Sequence, residues 1–160
     1  LTELQSIKGI GKVKAVQLKC IGELSKRISR TTAKRGLAFN QPETIADYYM
    51  EQLRHEEQEL LLCMMLDTKN HLLGEEMVFK GTVNQALASP REIFLAATSY
   101  HAVGILLVHN HPSGDPAPSQ SDLDFTERVR RAGEILGIPL LDHIIIGDCR
   151  FLSFRQQGIF

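Results

Sequence analysis

Three apolar segments constrain the fold of this 160-residue chain more than any other feature of its sequence. They cover residues 60–66, 103–108 and 140–146, and they are short, bounded by turn residues and apolar in nearly every position. Such runs predict strands that are buried on both faces, in contrast to the alternating pattern of a half-exposed strand. The sequence therefore predicts an α/β fold in which helices pack against a sheet.

The segments around these strands have the start and stop signals of helices. Pro42 lies where a first helical turn accepts proline and predicts a helix to about residue 54. Ser89-Pro90-Arg91-Glu92 has the pattern of a capping box and predicts a helix to about residue 100. Ser119-x-x-Asp122 can cap a helix over about 119–136, which Gly137 ends.

The remaining signals complete the predicted body of the protein, residues 36–160. Asp67-Thr68-Lys69-Asn70 is typical of a turn, and strands are expected over about 71–80 and 150–154. Residues 109–118 are rich in proline and glycine and are predicted to form a loop. We expect a mixed β-sheet flanked by helices, whose exposed edge strands make a homodimer plausible.

The first 35 residues differ from the rest in charge. They contain nine Lys or Arg and two Glu, which leaves nine basic and seventeen acidic residues beyond them. Gly9-x-Gly11 predicts a turn between a short helix end at 2–7 and a helix over 12–29, followed by a linker over 31–41. The segment 1–35 is thus predicted to be a small, basic α-helical hairpin.

This basic hairpin resembles a helix-hairpin-helix motif, in which two close glycines let backbone N–H groups approach a phosphate. The resemblance implies a weak, sequence-independent contact with the DNA backbone through residues 7–35. A plain αα-hairpin with a solvated basic face remains open. The chain begins inside a helix-like pattern, and we expect a natural N-terminal part before Leu1.

Other features bear on the location of the protein. The three cysteines are too few and too scattered for a disulfide framework, and their odd number fits a reducing compartment. No apolar run approaches the roughly 20 residues of a membrane span. We expect a cytoplasmic protein that has no membrane partner.

One loop carries a candidate metal site. His109 and His111 lie two residues apart at the end of an apolar strand, a spacing that puts both imidazoles on one side of extended chain. Asp122 lies in the first turn of the next helix, where the loop can fold it back over the strand end. Two imidazoles and a carboxylate are ligands that a catalytic zinc site uses, with one position left for water. The sequence therefore predicts one Zn²⁺ bound by His109, His111 and Asp122.

The same residues resemble a known family. His109-x-His111, seven residues, Ser119, two residues and Asp122 follow the spacing of the JAMM (MPN+) metalloprotease signature. The string His109-Asn110-His111-Pro112-Ser113-Gly114 is similar to the RadC family, as are the segments Gly81-Thr82-Val83-Asn84, Pro90-Arg91-Glu92 and Leu141-Asp142-His143. The resemblance implies a cytidine-deaminase-like α/β fold, a zinc ion and metal-assisted hydrolysis of peptide or isopeptide bonds.

The family pattern also implies an upstream glutamate at the start of a core strand. Glu59 matches that place best because it directly precedes the apolar run, while Glu57 and Glu56 are close competitors. We expect Glu59 to take a proton from the attacking water and to pass it to the leaving amine. By resemblance Ser119 stabilises the oxyanion, although its hydroxyl is also placed to act only as a helix N-cap.

Two hypotheses about function follow. The first is a zinc metallopeptidase of the RadC type, a family with a DNA-repair label, acting on a protein or peptide substrate. The alternative is a DNA-binding accessory module whose metal site is structural or vestigial. A nucleobase deaminase is disfavoured because the Pro-Cys-x-x-Cys motif that completes its zinc site is absent from the sequence. His143, beside Asp142 in an apolar strand, is interpreted as half of a structural His–Asp pair.

Overall fold

The computed structural model of the chain describes residues 2–34, 38–81 and 89–160, with only the backbone described over 25–34. The chain divides into two compact units, Leu1–Gly36 and Leu37–Phe160. The segment Thr82-Val83-Asn84, which carries part of the family resemblance, lies outside the described residues. Within the described ranges, no helix is both long enough and apolar enough to cross a bilayer.

The first unit is a helical hairpin. Helix α1 covers Thr2–Gln5 and helix α2 covers Lys12–Lys34, and the turn between them uses a positive φ of 91° at Gly9. The prediction that the helix ends at residue 29 and a linker starts at 31 was wrong, because no glycine or proline interrupts residues 23–34. The lysines at positions 8, 12, 14 and 19 are exposed. The DNA contact of this unit stays a prediction.

The second unit is built on a mixed five-stranded sheet. Its strands are β1 (Glu59–Leu66), β2 (Leu72–Gly81), β3 (Gly104–Asn110), β4 (Leu140–Ile146) and β5 (Phe151–Ser153). The strand order is β2-β1-β3-β4-β5, and only the β3–β4 pair is parallel. The predicted fold class, a mixed sheet flanked by helices, is confirmed.

Helices cover both faces of this sheet. Helix α3 (Pro42–Leu53) packs its buried residues Ile45, Tyr49 and Leu53 on one face, against Leu62 and Met64 of β1. Helices α4 (Pro90–Ser99) and α5 (Gln120–Leu136) cover the other face. On this face, buried residues of α4, α5, β1 and β3 form a single hydrophobic cluster. It includes Ile93 of α4, Phe125 of α5, Cys63 and Met65 of β1, and Leu107 of β3. Alternate residues of β1 thus enter two separate cores, which explains why the strand is apolar throughout.

Strand β3 is longer than the sequence predicted. The loop that was predicted to begin at residue 109 begins at residue 111, because β3 stays paired with β4 as far as Asn110, which lies opposite Ile146. The backbone N–H of His111 then donates to the carbonyl of Ile146 at 2.9 Å. His109 is therefore held inside the strand, and His111 is anchored one residue beyond its end.

Candidate metal centre

The two histidines of the His-x-His pair face one another at the carboxyl end of β3. His109 is 2% exposed and lies on the sheet face that α4 and α5 cover. His111 is partly exposed at the mouth of the site. Their Nε2 atoms lie 3.0 Å apart, as expected for side chains two residues apart along extended chain.

Asp122 joins this pair from the first turn of α5. Its carboxylate is fully buried, with Oδ1 3.3 Å from Nε2 of His109 and Oδ2 3.4 Å from Nε2 of His111. A complete capping box holds it there: the backbone N–H and the hydroxyl of Ser119 both donate to Oδ2, at 2.7 and 2.6 Å. In return the N–H of Asp122 donates to the Ser119 hydroxyl at 3.2 Å. The structure thus brings the three predicted ligands together, and it places Ser119 directly against one of them.

Glu59 approaches the same point from β1. This strand runs antiparallel to β3, with Leu61 opposite His109, so that its first residue lies beside the His-x-His pair. Glu59 Oε1 is 3.8 Å from Nε2 of His111. Among the described residues, the group whose ligand atoms all lie within 4.8 Å of one another consists of Glu59, His109 and His111. That group contains neither Glu56 nor Glu57.

Asn110, which the sequence analysis did not single out, fixes the start of β1. It lies between the two histidines, is buried, and points to the opposite face of the strand. Its Oδ1 accepts from the N–H of Leu60 at 2.8 Å, and its Nδ2 donates to the carbonyls of Gln58 at 3.1 Å and Glu56 at 3.4 Å. These bonds bracket Glu59 on both sides along the chain. Asn110 therefore couples the position of Glu59 to the strand that carries the histidines.

We expect Asn110→Asp to destabilise the protein by about 1–3 kcal/mol, because a buried acceptor then faces the two carbonyls that the Asn110 amide satisfies. The measurement is the free energy of unfolding from denaturant titration. Asn40→Asp, at an exposed position, is the control and should leave stability almost unchanged. Equal stability of the two variants would contradict the bracketing role of Asn110.

Hydrogen bonds on the far side of each ring decide where the protons are. His111 Nδ1 lies 2.8 Å from the carbonyl oxygen of Asp115. A carbonyl only accepts, so Nδ1 carries the proton and a neutral His111 presents a lone pair at Nε2. His109 Nδ1 lies 2.8 Å from Nε2 of His143. Both histidines therefore direct Nε2 towards Asp122.

The interpretation of His143 as one half of a His–Asp pair was wrong. The Asp142 carboxylate accepts from the backbone N–H of His143 at 2.7 Å, from the Ser153 hydroxyl at 2.6 Å and from the N–H of Arg155 at 3.0 Å. Successive residues of a strand point to opposite faces, so the two side chains cannot meet. The ring of His143 instead contacts His109 and stacks on Phe154, with centroids 4.8 Å apart.

The charges of the site favour a cation. Burial by itself would raise the pKa of Asp122, but its contacts with His109 and His111 and the hydrogen bond from Ser119 outweigh burial and hold this pKa well below its usual range. The hydrogen bond to Asp122 raises the pKa of His111 against the opposing effect of burial. Burial, reinforced by the nearby charge of His109, lowers the pKa of His143 well below the ordinary value. The site thus combines an ionised carboxylate with a histidine that readily gains positive charge.

The donor set fits zinc. Two Nε2 atoms and a carboxylate converge within 3.0–3.4 Å of one another, an arrangement that is repulsive unless a proton or a metal cation lies between them. Two ligands that each lie about 2.0–2.1 Å from a tetrahedral ion are about 3.3–3.4 Å apart. The separations of His109 Nε2 from His111 Nε2, 3.0 Å, and from Asp122 Oδ1, 3.3 Å, are close to this value. Imidazole nitrogen favours zinc over the oxygen-seeking Ca²⁺ and Mg²⁺.

The mixed sheet is covered by helices on both faces, with His-x-His at the end of β3 and Ser and Asp at the start of α5. These features define a JAB (MPN-type) domain. A family model described as the RadC-like JAB domain matches residues 39–159. The chain belongs to the RadC family, and the resemblance found in the sequence is confirmed.

Similar proteins span several bacteria. A UPF0758 protein of Enterococcus faecalis is 43% identical over 160 residues, which is 100% of this chain and 69% of the relative. One of Desulforamulus reducens is 45% identical over 159 residues, 99% of this chain and 70% of the relative. One of Syntrophotalea carbinolica is 40% identical over 158 residues, with 99% and 70% coverage. These names describe no reaction.

Proposed function

We propose that this RadC-family chain is a zinc-dependent hydrolase of amide bonds in peptide or protein substrates. The observation that carries the proposal is the convergence of the His109 and His111 Nε2 atoms on the Asp122 carboxylate, with Glu59 beside them. His109, His111 and Asp122 would hold the ion, and Glu59 would remain free for proton transfer. When bound, zinc would polarise a substrate carbonyl and make a water molecule acidic enough to react near neutral pH.

Glu59 is the proton carrier in this proposal. It lies at the partly exposed mouth of the site, 3.8 Å from His111, where a carboxylate can reach both a water molecule and a substrate. Glu59 takes one proton from the water molecule as the oxygen of that water bonds to the carbonyl carbon of the substrate. It returns the proton to the amine nitrogen as the C–N bond breaks, so the carboxylate is regenerated.

The hydroxyl of Ser119 is already hydrogen-bonded to Asp122, which limits how it can act on a substrate. Its single proton goes to Asp122 Oδ2, and its oxygen accepts from the N–H of Asp122. To stabilise an oxyanion, the hydroxyl turns this proton from Asp122 to the substrate. The backbone N–H of Ser119 also donates to Asp122 Oδ2, at 2.7 Å. This bond keeps Asp122 in place while the hydroxyl turns to the substrate.

Metal content tests the proposal first. Elemental analysis of purified protein should give one zinc per chain, and His109→Ala should reduce zinc to background because it removes a central ligand. His55→Ala, at an exposed position, is the matched control and should retain the metal. The zinc-loaded protein should also cleave members of a proteome-derived peptide library, detected by mass spectrometry. Zinc that is absent from the wild type, or equal in both variants, would overturn the proposal.

We also propose a cytoplasmic location. Cys20, Cys63 and Cys149 are all free, which suits a reducing compartment. Cys63 lies in the core, where burial raises the pKa of its thiol to about 12 and keeps it unreactive.

A further inference from the structure

A chain of hydrogen bonds extends from the candidate metal centre into the core. His109 Nδ1 lies 2.8 Å from Nε2 of His143, whose Nδ1 lies 2.6 Å from the hydroxyl of Thr126. The Thr126 hydroxyl lies in turn 2.6 Å from the backbone carbonyl of Asp122. His143 and Thr126 are both buried. The chain thus connects one proposed ligand to the helical turn that carries another.

The direction of every bond in this chain follows from its last member. A carbonyl oxygen only accepts, so the Thr126 hydroxyl must donate to Asp122. A hydroxyl has one proton, and Thr126 Oγ1 must therefore act as acceptor towards His143. The proton of that bond belongs to His143 Nδ1.

The same reasoning continues to the metal centre. A neutral His143 with its proton on Nδ1 has a lone pair at Nε2, which can only accept. His109 must then donate from Nδ1, so a neutral His109 presents a lone pair at Nε2. That atom is the one 3.3 Å from Asp122 and 3.0 Å from His111. His143 itself contacts the ring edge of His109 that faces away from this point, so it is not a fourth ligand.

We propose that Thr126 and His143 are positioning residues that lock His109 in its Nδ1–H tautomer and so keep Nε2 bare for a metal ion. The consequence for zinc rests on the proposed function, whereas the tautomer is a property of the metal-free protein. Partners on the far side of a ligating histidine commonly fix its tautomer and its ring orientation. Here the partner is a second histidine, whose neutral ring can carry its proton on either nitrogen. Thr126 therefore supplies the asymmetry on which the whole chain depends.

Thr126→Val tests this role with little change in shape. Valine keeps the branched side chain and removes the acceptor, so His143 can move its proton to Nε2 and donate to His109. His109 is then driven to carry its own proton on Nε2, where it blocks the metal. We expect zinc affinity, measured by competition with a chromophoric chelator, to fall about 10–100-fold.

A conservative variant that keeps the bonds of the chain serves as the control. Thr126→Ser retains the hydroxyl and should keep the wild-type tautomer and zinc affinity. Long-range ¹H–¹⁵N NMR of histidine-labelled, metal-free protein reads the tautomer of His109 directly, and circular dichroism checks that each variant is folded.

The outcomes separate this proposal from the proposed function. A His109 that shifts towards Nε2–H in Thr126→Val, but not in Thr126→Ser, supports the positioning role even if the protein hydrolyses no amide. The same tautomer in both variants would overturn it, as would a wild-type His109 that already carries its proton on Nε2. If Thr126→Val does not fold, the wild-type protein decides, because a proton on His109 Nε2 there would overturn the proposal.

Discussion

Glu59→Gln should reduce hydrolysis by about 10²–10⁴-fold while leaving one zinc per chain, because glutamine cannot take a proton but keeps the shape of the side chain. The expectation depends on the division of labour at the site, in which His109, His111 and Asp122 hold the ion and Glu59 moves the proton. The measurement combines elemental analysis with turnover on peptides that the wild type cleaves. Glu57→Gln, two residues earlier and exposed, is the matched control and should leave both zinc and turnover unchanged.

Two other results of the Glu59→Gln experiment would change the role assigned to Glu59. Glu59 belongs to the group of three ligand atoms that lie within 4.8 Å of one another, so it could itself bind the ion. Loss of zinc in Glu59→Gln would assign Glu59 as a ligand. If turnover were unchanged in Glu59→Gln but lost in Glu57→Gln, Glu57 would be the residue that carries the proton.

Local pattern was enough to predict the framework of the site. Residues 60–66 and 103–108 were identified as buried strands from apolar continuity alone, because a strand that enters two cores cannot alternate. The common direction of His109 and His111 followed from the two-residue period of extended chain. The capping pattern at Ser119 placed Asp122 in a first helical turn, where the structure also has it.

The supporting contacts could not be predicted in the same way, because they join residues that are distant in sequence. Asn110 contacts the chain around Glu59 across about fifty positions, and a single buried asparagine carries no local signal of its partner. His143 was assigned to Asp142 because the two are neighbours in sequence. Strand geometry alone excludes that pairing, because neighbouring side chains point to opposite faces of the sheet. The same alternation places His143 on the sheet face that carries His109.

Thr126 had a weak signal that was present in the sequence. It lies four residues after Asp122 in α5, and side chains four apart share one helix face. A threonine in that position can bond back to the carbonyl of the earlier residue. What the sequence could not supply was His143 on β4, 2.6 Å from the same hydroxyl.

Asp122→Asn should weaken zinc binding more than the roughly 100-fold that is typical when only an outer partner of a ligand is lost. The change removes the negative charge opposite the two Nε2 atoms but keeps an oxygen that can accept from the Ser119 N–H and hydroxyl. The fold should therefore persist while the metal is lost. Asp124→Asn, exposed on the same helix, is the matched control and should bind zinc as the wild type does.

The same substitution has a pH signature in the metal-free protein. The pKa of Asp122 is lowered by folding, so its stabilising effect is complete above the unfolded value of about 3.9 and is lost as the pH falls below it. Asp122→Asn should flatten this acid limb of the unfolding free energy. It should also return the pKa of His111, raised chiefly by Asp122, towards about 6.5 in an NMR titration. If Asp122→Asn retained zinc while Glu59→Gln lost it, the carboxylate ligand would be Glu59, and Asp122 would be left with capping its helix.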